Sequence, residues 1–229
     1  MSTKSEKAKK SRSKTTLPGY TRGEELFHMI SHIVGGGFAL SALLLCLTFA
    51  AWRHNVWGLA GGAVYGTTMI LLYTMSSIYH GLIPERPKKV FRVIDHCAIF
   101  FLIAGSYTPI AFCALRVNYP LASWLMFAFI WAACALGVTL TAVNMHKFRI
   151  FSMICYVGLG WCVLVLIKPV LASMPLPAFI LLVAGGVVYT LGSVLYGLGK
   201  KHKYMHSVFH MFVLLGSVLH FIMILKYMM

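Results

Sequence analysis

Seven apolar stretches, each about 20 residues or longer, run through the chain at 26–51, 57–81, 90–114, 120–143, 149–168, 176–198 and 205–227. A helix crosses the hydrocarbon core of a bilayer in about 20 residues, and only helices or closed barrels can satisfy their own backbone there. The pattern predicts an all-α integral membrane protein of seven transmembrane helices. The connections are short, so consecutive helices should be antiparallel neighbours. Composition agrees: only 11% of the residues are charged, against about 25% in soluble domains. Residues 24–229 are expected to form the seven-helix transmembrane domain. Residues 1–23 are basic and aperiodic and read as a disordered cytoplasmic tail able to touch anionic lipid headgroups. The first apolar run is too long for the core of a signal peptide, so no cleavable signal is expected.

The 20 Lys and Arg residues outnumber the 5 Asp and Glu, for a net charge of +15. In a soluble chain this would point to nucleic acid. Here the cations sit between apolar runs, and nucleic acid is not the expected partner. Sixteen of the 20 fall in the N-terminal segment and in the second-to-third, fourth-to-fifth and sixth-to-seventh connections. That asymmetry marks the cytoplasmic side. It predicts an N-terminus inside, a C-terminus outside and a multi-pass protein of the plasma (inner) membrane. The six cysteines are scattered through apolar runs with no C-x-x-C pair, and read as small buried hydrophobes. Gly58, Gly62 and Gly66 give two overlapping small-xxx-small spacings, a pattern of close helix contact. Pro109 should kink the third helix, with Ser106 and Thr108 satisfying freed carbonyls.

The topology also brings the ionisable residues together. His80 lies near the cytoplasmic end of the second helix, with Ser76 one turn deeper on the same face. Asp95, the only aspartate, lies in the first turns of the third helix, and His206 and His210, four residues apart, begin the seventh. Three helix ends thus deliver His, Asp and a His pair to similar depth. Ionisable groups inside a membrane domain are costly and mark function. Three imidazoles are a zinc ligand set that leaves a position open for water. His80, His206 and His210 are therefore the expected ligands of Zn²⁺. Asp95 is the candidate to hold the zinc-activated water or act as general base, and Ser76 the candidate donor to an oxyanion. A single histidine in an apolar helix is more often a hydrogen-bonded interfacial residue; the shared depth of three, with the one aspartate, distinguishes this set. His28 and His32, beside Glu24 and Glu25, read as bordering the site or forming a second pair. His96 is expected on another face, His146 and His202 at the interface, and His54 and His220 near the outer side.

The segments EELFHMISHIVG (24–35), the S-x-x-x-H of Ser76–His80, IDHCAIFFLIAGSYTP (94–109) and the H-x-x-x-H of 206–210 together resemble the hemolysin III branch of the progestin and adipoQ receptor (PAQR) family, in a superfamily with alkaline ceramidases. The resemblance runs from about residue 24 to the end. It implies seven helices with a cytoplasmic N-terminus, zinc on His80, His206 and His210, a water held by Asp95, and Ser76 lining the site. Where many relatives have Asn in the first motif, this chain has His28.

The leading expectation is a membrane-embedded zinc hydrolase of a lipid amide or ester, ceramidase-like, with a membrane lipid or fatty-acyl substrate. The alternative is a non-catalytic lipid sensor or regulator of membrane homeostasis whose zinc is structural, with His32 as the first candidate for a fourth ligand. A pore, which the name hemolysin suggests, ranks below both, because a pore needs polar lining through the full thickness. A homo-oligomer is compatible with the sequence, which does not specify the substrate.

Overall fold

A computed structural model describes residues 17–198 and 202–229. The described residues are helical throughout, without strands: α1 (Arg22–Trp52), α2 (Val56–Gly81), α3 (Glu85–Pro109) running into a π-helical turn (Ile110–Leu115), α4 (Pro120–Gly160), a 3₁₀ turn (Cys162–Leu166), α5 (Ile167–Ser173), α6 (Leu176–Leu198) and α7 (Met205–Tyr227). Neighbours in sequence are neighbours in space for α1–α2, α2–α3, α3–α4 and α6–α7, and α7 returns to α1. Most of the expected N-terminal tail, residues 1–16, lies outside the described residues.

Six helical stretches among the described residues are long and apolar enough to cross a membrane, where the hydropathy pattern predicts seven. The difference lies at residues 120–168. The two expected spans there fall within one continuous helical stretch, Pro120–Ser173. That stretch is not straight. Asn144 has a non-helical backbone (φ −157°, ψ 83°), and its side chain accepts from Lys147 N at 3.0 Å, in the manner of a cap for the arm that follows. Thr141 Oγ1 and Ser152 Oγ lie 3.1 Å apart across this point. Eleven residues of unbroken helix would hold them about 16 Å apart, so the chain folds back on itself at Asn144.

The helices begin and end for local reasons. Thr21 and Glu24 form a capping box at the start of α1. Asn55 caps α2 by accepting from Gly58 N at 2.8 Å. Pro109 cannot supply an N–H to the preceding turn, and there the α3 helix loosens into a π-helical turn. Ser106 and Thr108 donate to the carbonyls of Ile103 and Ala104, both at 2.9 Å.

Both ends of α7 are tied to the α1–α2 pair. At its start Tyr204 N donates to Glu24 Oε1 at 2.7 Å. At its end Arg53 Nη1 and Asn55 Nδ2 donate to the carbonyls of Met229 and Met228, at 2.8 and 2.9 Å. Between them Tyr73 and Tyr189 hold Ser217 Oγ from two sides at 2.8 and 2.9 Å. The histidines of α7 are therefore fixed in depth relative to α1 and α2.

The glycine spacing of α2 serves the α1–α2 contact. A Cβ on Gly66 would lie 2.6 Å from Leu43 Cβ and 2.9 Å from Leu43 Cα; one on Gly62 would lie 3.0 Å from Cys46 Cβ, and one on Gly58 3.2 Å from Ala50 Cβ. Leu43, Cys46 and Ala50 form one stripe of α1, so each glycine admits the neighbouring helix. Gly66→Val should force the two helices apart and lower the thermal midpoint of the detergent-purified protein, at a cost of about 1–3 kcal/mol. Gly37→Val, where a Cβ meets nothing within 4 Å, should leave it nearly unchanged. Equal effects at both positions would contradict this account of the seam.

Candidate metal centre

The site is built from one end of four helices. From α1 come Glu25, His28 and His32, at i, i+3 and i+7 on one helix face. Ser76 and His80 come from the last turns of α2, Asp95 and His96 from α3, and His206, Ser207 and His210 from the first turns of α7. His28, His32, His80 and His210 are all buried, at 0–3% exposure.

Three imidazole nitrogens meet. His206 Nε2 lies 3.4 Å from His80 Nε2 and 3.1 Å from His210 Nε2. Four ligands placed tetrahedrally at about 2.0–2.1 Å from a metal are separated by about 3.3 Å, and the two spacings about His206 are close to that value. The outer nitrogens are held from behind. Glu25 Oε2 lies 2.6 Å from His80 Nδ1 and Glu25 Oε1 lies 2.8 Å from Lys88 Nζ. A proton on His80 Nδ1 donated to this carboxylate leaves the Nε2 lone pair facing the cluster, which is the usual second partner of a metal-binding histidine. Ser31 Oγ stands 3.4 Å from His210 Nδ1.

His28 completes the cluster. Its ring centroid is 4.6 Å from those of His80 and His206 and 4.8 Å from that of His210. Suitable donor atoms of His28, His80 and His206 all lie within 4.8 Å of one another, so these three could also hold a metal ion. The two candidate sets share His80 and His206. In the set with His210, His206 Nε2 is within 3.4 Å of both other nitrogens. His28 Nε2 is already 2.9 Å from Ser207 Oγ, which leaves it Nδ1. Among the described residues His28 Nδ1, His206 Nδ1 and both nitrogens of His32 are buried without a hydrogen-bond partner. Buried polar atoms of this kind are costly, and their gathering in one place fits a bound cation.

Asp95 and Ser76 sit beside the histidines. With His32, His206 and His210 they line a cavity of about 80 Å³, ample for water, which needs about 10–15 Å³. His96, expected on a different face, lines the same cavity. Its Nδ1 lies 3.5 Å from Asp95 Oδ2 and donates to the Arg92 carbonyl at 2.9 Å. The expected residues His80, His206 and His210 are thus in mutual contact, with Asp95 and Ser76 at the adjoining cavity.

Sequence reasoning put His28 only at the border of the site, gave Glu25 no role and left out Tyr20. Glu25 and the central place of His28 had a signal in their shared helix face with His32. Tyr20 had none, because it falls in the aperiodic segment before α1. Its ring stacks on His206 at 5.1 Å and 7° and packs edge-on against His28 at 5.0 Å. Burial against these groups pushes the Tyr20 phenol well above its ordinary pKa, so it stays protonated.

Comparison with known proteins bears on this arrangement. The family described as Haemolysin-III related matches residues 20–221. Hemolysin-3 of Bacillus cereus is 34% identical over 206 residues, covering 90% of this chain and 92% of that protein. The Hemolysin-3 homolog of Bacillus subtilis (strain 168) is 31% identical over 208 residues, covering 91% and 96%. The monocyte to macrophage differentiation factor of Homo sapiens is 28% identical over 210 residues, covering 88% and 80%.

Elemental analysis of protein purified without chelators should find about one divalent transition metal per chain. His80→Ala, His206→Ala and His210→Ala should each abolish it, and Glu25→Gln should weaken metal affinity about 10–100-fold. Retention of metal in His28→Ala would assign the three-nitrogen set that includes His210. A folded wild type without metal would overturn the centre.

Proposed function

The chain belongs to the haemolysin-III related family of membrane proteins, and we propose that it is a zinc-dependent hydrolase of a lipid amide or ester embedded in the plasma (inner) membrane. The observation that carries this reading is the approach of His206 Nε2 to His80 Nε2 and His210 Nε2 at 3.4 and 3.1 Å beside a cavity lined by the only aspartate of the chain. Imidazole suits several transition metals, zinc among them. Bound to these nitrogens, zinc would supply Lewis acidity toward a carbonyl.

The residues of the chain do the rest. Asp95 accepts a proton from water as that water adds to the lipid carbonyl, and returns it to the leaving amine or alcohol. Ser76 donates a hydrogen bond to the oxygen that gains charge. His96 Nδ1 lies 3.5 Å from the Asp95 carboxylate. The cavity beside Asp95 adjoins a second one of about 100 Å³, with which it shares Leu72, Ile99, Phe209 and Val213 as well as Tyr156 and Ser193. That apolar continuation suits an acyl chain, and a ceramide-like or other acyl lipid is the proposed substrate.

In this reading the protein crosses the bilayer seven times, with residues 1–16 as a basic cytoplasmic tail against anionic headgroups, while Tyr20 packs on His206 and α1 begins at Arg22. An unbroken 41-residue α4 would be about 60 Å long, twice the hydrocarbon thickness. The reversal at Asn144 supports two crossings there. The cation-rich ends near Lys88, Arg149 and Lys203 are assigned to the cytoplasm.

A second reading has its own support. His28 brings a fourth imidazole to the cluster, and four protein ligands would close the coordination, as in structural sites. The protein would then be a non-catalytic regulator of membrane homeostasis. A pore has less support, because the bundle interior is filled by Tyr65, Met69, Tyr73 and Phe100.

Hydrolysis of a fluorescent short-chain ceramide or acyl ester by the purified protein tests the proposal. Asp95→Asn should lower kcat about 10²–10⁴-fold with metal content unchanged. Ser76→Ala should lower it less. Metal-loaded wild type that cleaves neither class of lipid would favour the regulator.

A further inference from the structure

A second polar space at the same end of the bundle is not used by the proposed chemistry. It is a cavity of about 430 Å³, against about 80 Å³ beside Asp95. Arg92 from α3, Arg149 from the second arm of α4, and His202 and Lys203 from the turn before α7 all line it, together with Tyr20 and Tyr196. His206, Arg149 and Tyr196 line both spaces, so this vestibule adjoins the histidine cluster.

A surplus of Lys and Arg at one end of a membrane bundle has an ordinary origin in membrane orientation. That explains how many cations there are and does not explain their convergence. Arg86 and Lys147, near the same end, do not line the vestibule, whereas Arg92, Arg149 and Lys203 reach it from three separate elements. Glu24 is the single carboxylate among the described lining residues. Both of its oxygens are engaged: Oε1 by Tyr204 N at 2.7 Å, Oε2 by Thr21 N and Thr21 Oγ1 at 2.8 Å. The space therefore carries excess positive charge, with tyrosine hydroxyls and a histidine as further donors.

We propose that the vestibule binds a phosphate group, presented by a phospholipid headgroup or as soluble phosphate. A planar carboxylate offers two oxygens in one direction. A phosphate offers oxygens in several directions and up to two negative charges, which matches the guanidinium of Arg149 and the ammonium of Lys203 arriving from separate elements. The proposal goes beyond the hydrolytic reading and holds whether or not a bond is cut at the histidines.

Binding to the full-length protein in detergent tests it, with a short-chain phosphatidic acid and the diacylglycerol of the same chains as probes. Wild type should bind the phosphatidic acid about tenfold tighter or more. Arg149→Gln/Lys203→Gln should lose that preference with metal per chain unchanged, while Arg86→Gln/Lys147→Gln, which removes the same charge outside the cavity, should keep it. Lys203→Gln alone should lose part of it, and serves if the double variant does not fold. Competition by inorganic phosphate assigns the site to the free anion; a preference that phosphate does not displace assigns it to the lipid headgroup. Equal binding of the two lipids by wild type, or equal loss in both double variants, would overturn the proposal. Wild type that lacks metal but keeps the preference would sink the metal reading and leave this one standing.

Discussion

Imidazoles taken out of water and packed against one another must find partners for their nitrogens, and this requirement governs one end of the bundle. Five rings from three helices are packed there, with nitrogens as close as 3.1 Å. Neutral rings can share only a few protons among so many acceptors, and orphaned nitrogens remain on His28, His32 and His206. Leaving such atoms unsatisfied costs about 1–3 kcal/mol each. A cation at the centre satisfies several lone pairs at once. Glu25 Oε2 at 2.6 Å from His80 Nδ1 would turn the Nε2 lone pair toward such a cation, and Lys88 holds that carboxylate in turn.

The cluster depends on how closely its helices approach. The glycines of α2 admit the Leu43–Ala50 stripe of α1, and this contact brings Glu25 of α1 within reach of His80 on α2. The third member, α7, is set by ties at both ends. Glu24 serves twice, capping α1 through Thr21 and accepting from Tyr204 at the start of α7. The polar chemistry at one end and the C-terminal bonds at the other thus hold α7 in a single register. His206 and His210 are positioned by interactions as far away as Met229.

Much of this was legible in the sequence, for identifiable reasons. The apolar runs reveal the membrane-spanning helices because a bilayer imposes a length that hydropathy records directly. His80, His206 and His210 could be grouped because alternating helix direction puts them at one depth, without any knowledge of packing. The reversal at Asn144 was harder to read. The apolar runs on either side predict two helices, but only the local backbone shows how abruptly one follows the other. His28 and Glu25 were visible as one face of α1, yet nothing in the sequence says which way that face turns. Tyr20 left no trace, since a single residue outside any periodic pattern is placed by tertiary contact alone.

The order of the three spaces along the bundle gives the arrangement its chemical sense. The widest and most basic space is at the helix ends. The histidines and Asp95 follow, and beyond them the lining turns apolar through Leu72, Ile99, Phe209 and Val213. A lipid has the same order: a polar head, a carbonyl at the boundary, and a chain. Groups that act on a lipid carbonyl must therefore sit where water and hydrocarbon meet. A position deeper in the bundle would strip Asp95 of the solvation that keeps a carboxylate ionised. A position nearer the surface would expose the imidazoles to competing water and weaken their hold on a metal. The proposed hydrolysis requires Asp95, about three turns into α3, and the first turns of α7 to lie between those limits. On the proposed reading, placement at this depth, more than any single side chain, lets a few ionisable residues persist in a chain that is 59% hydrophobic.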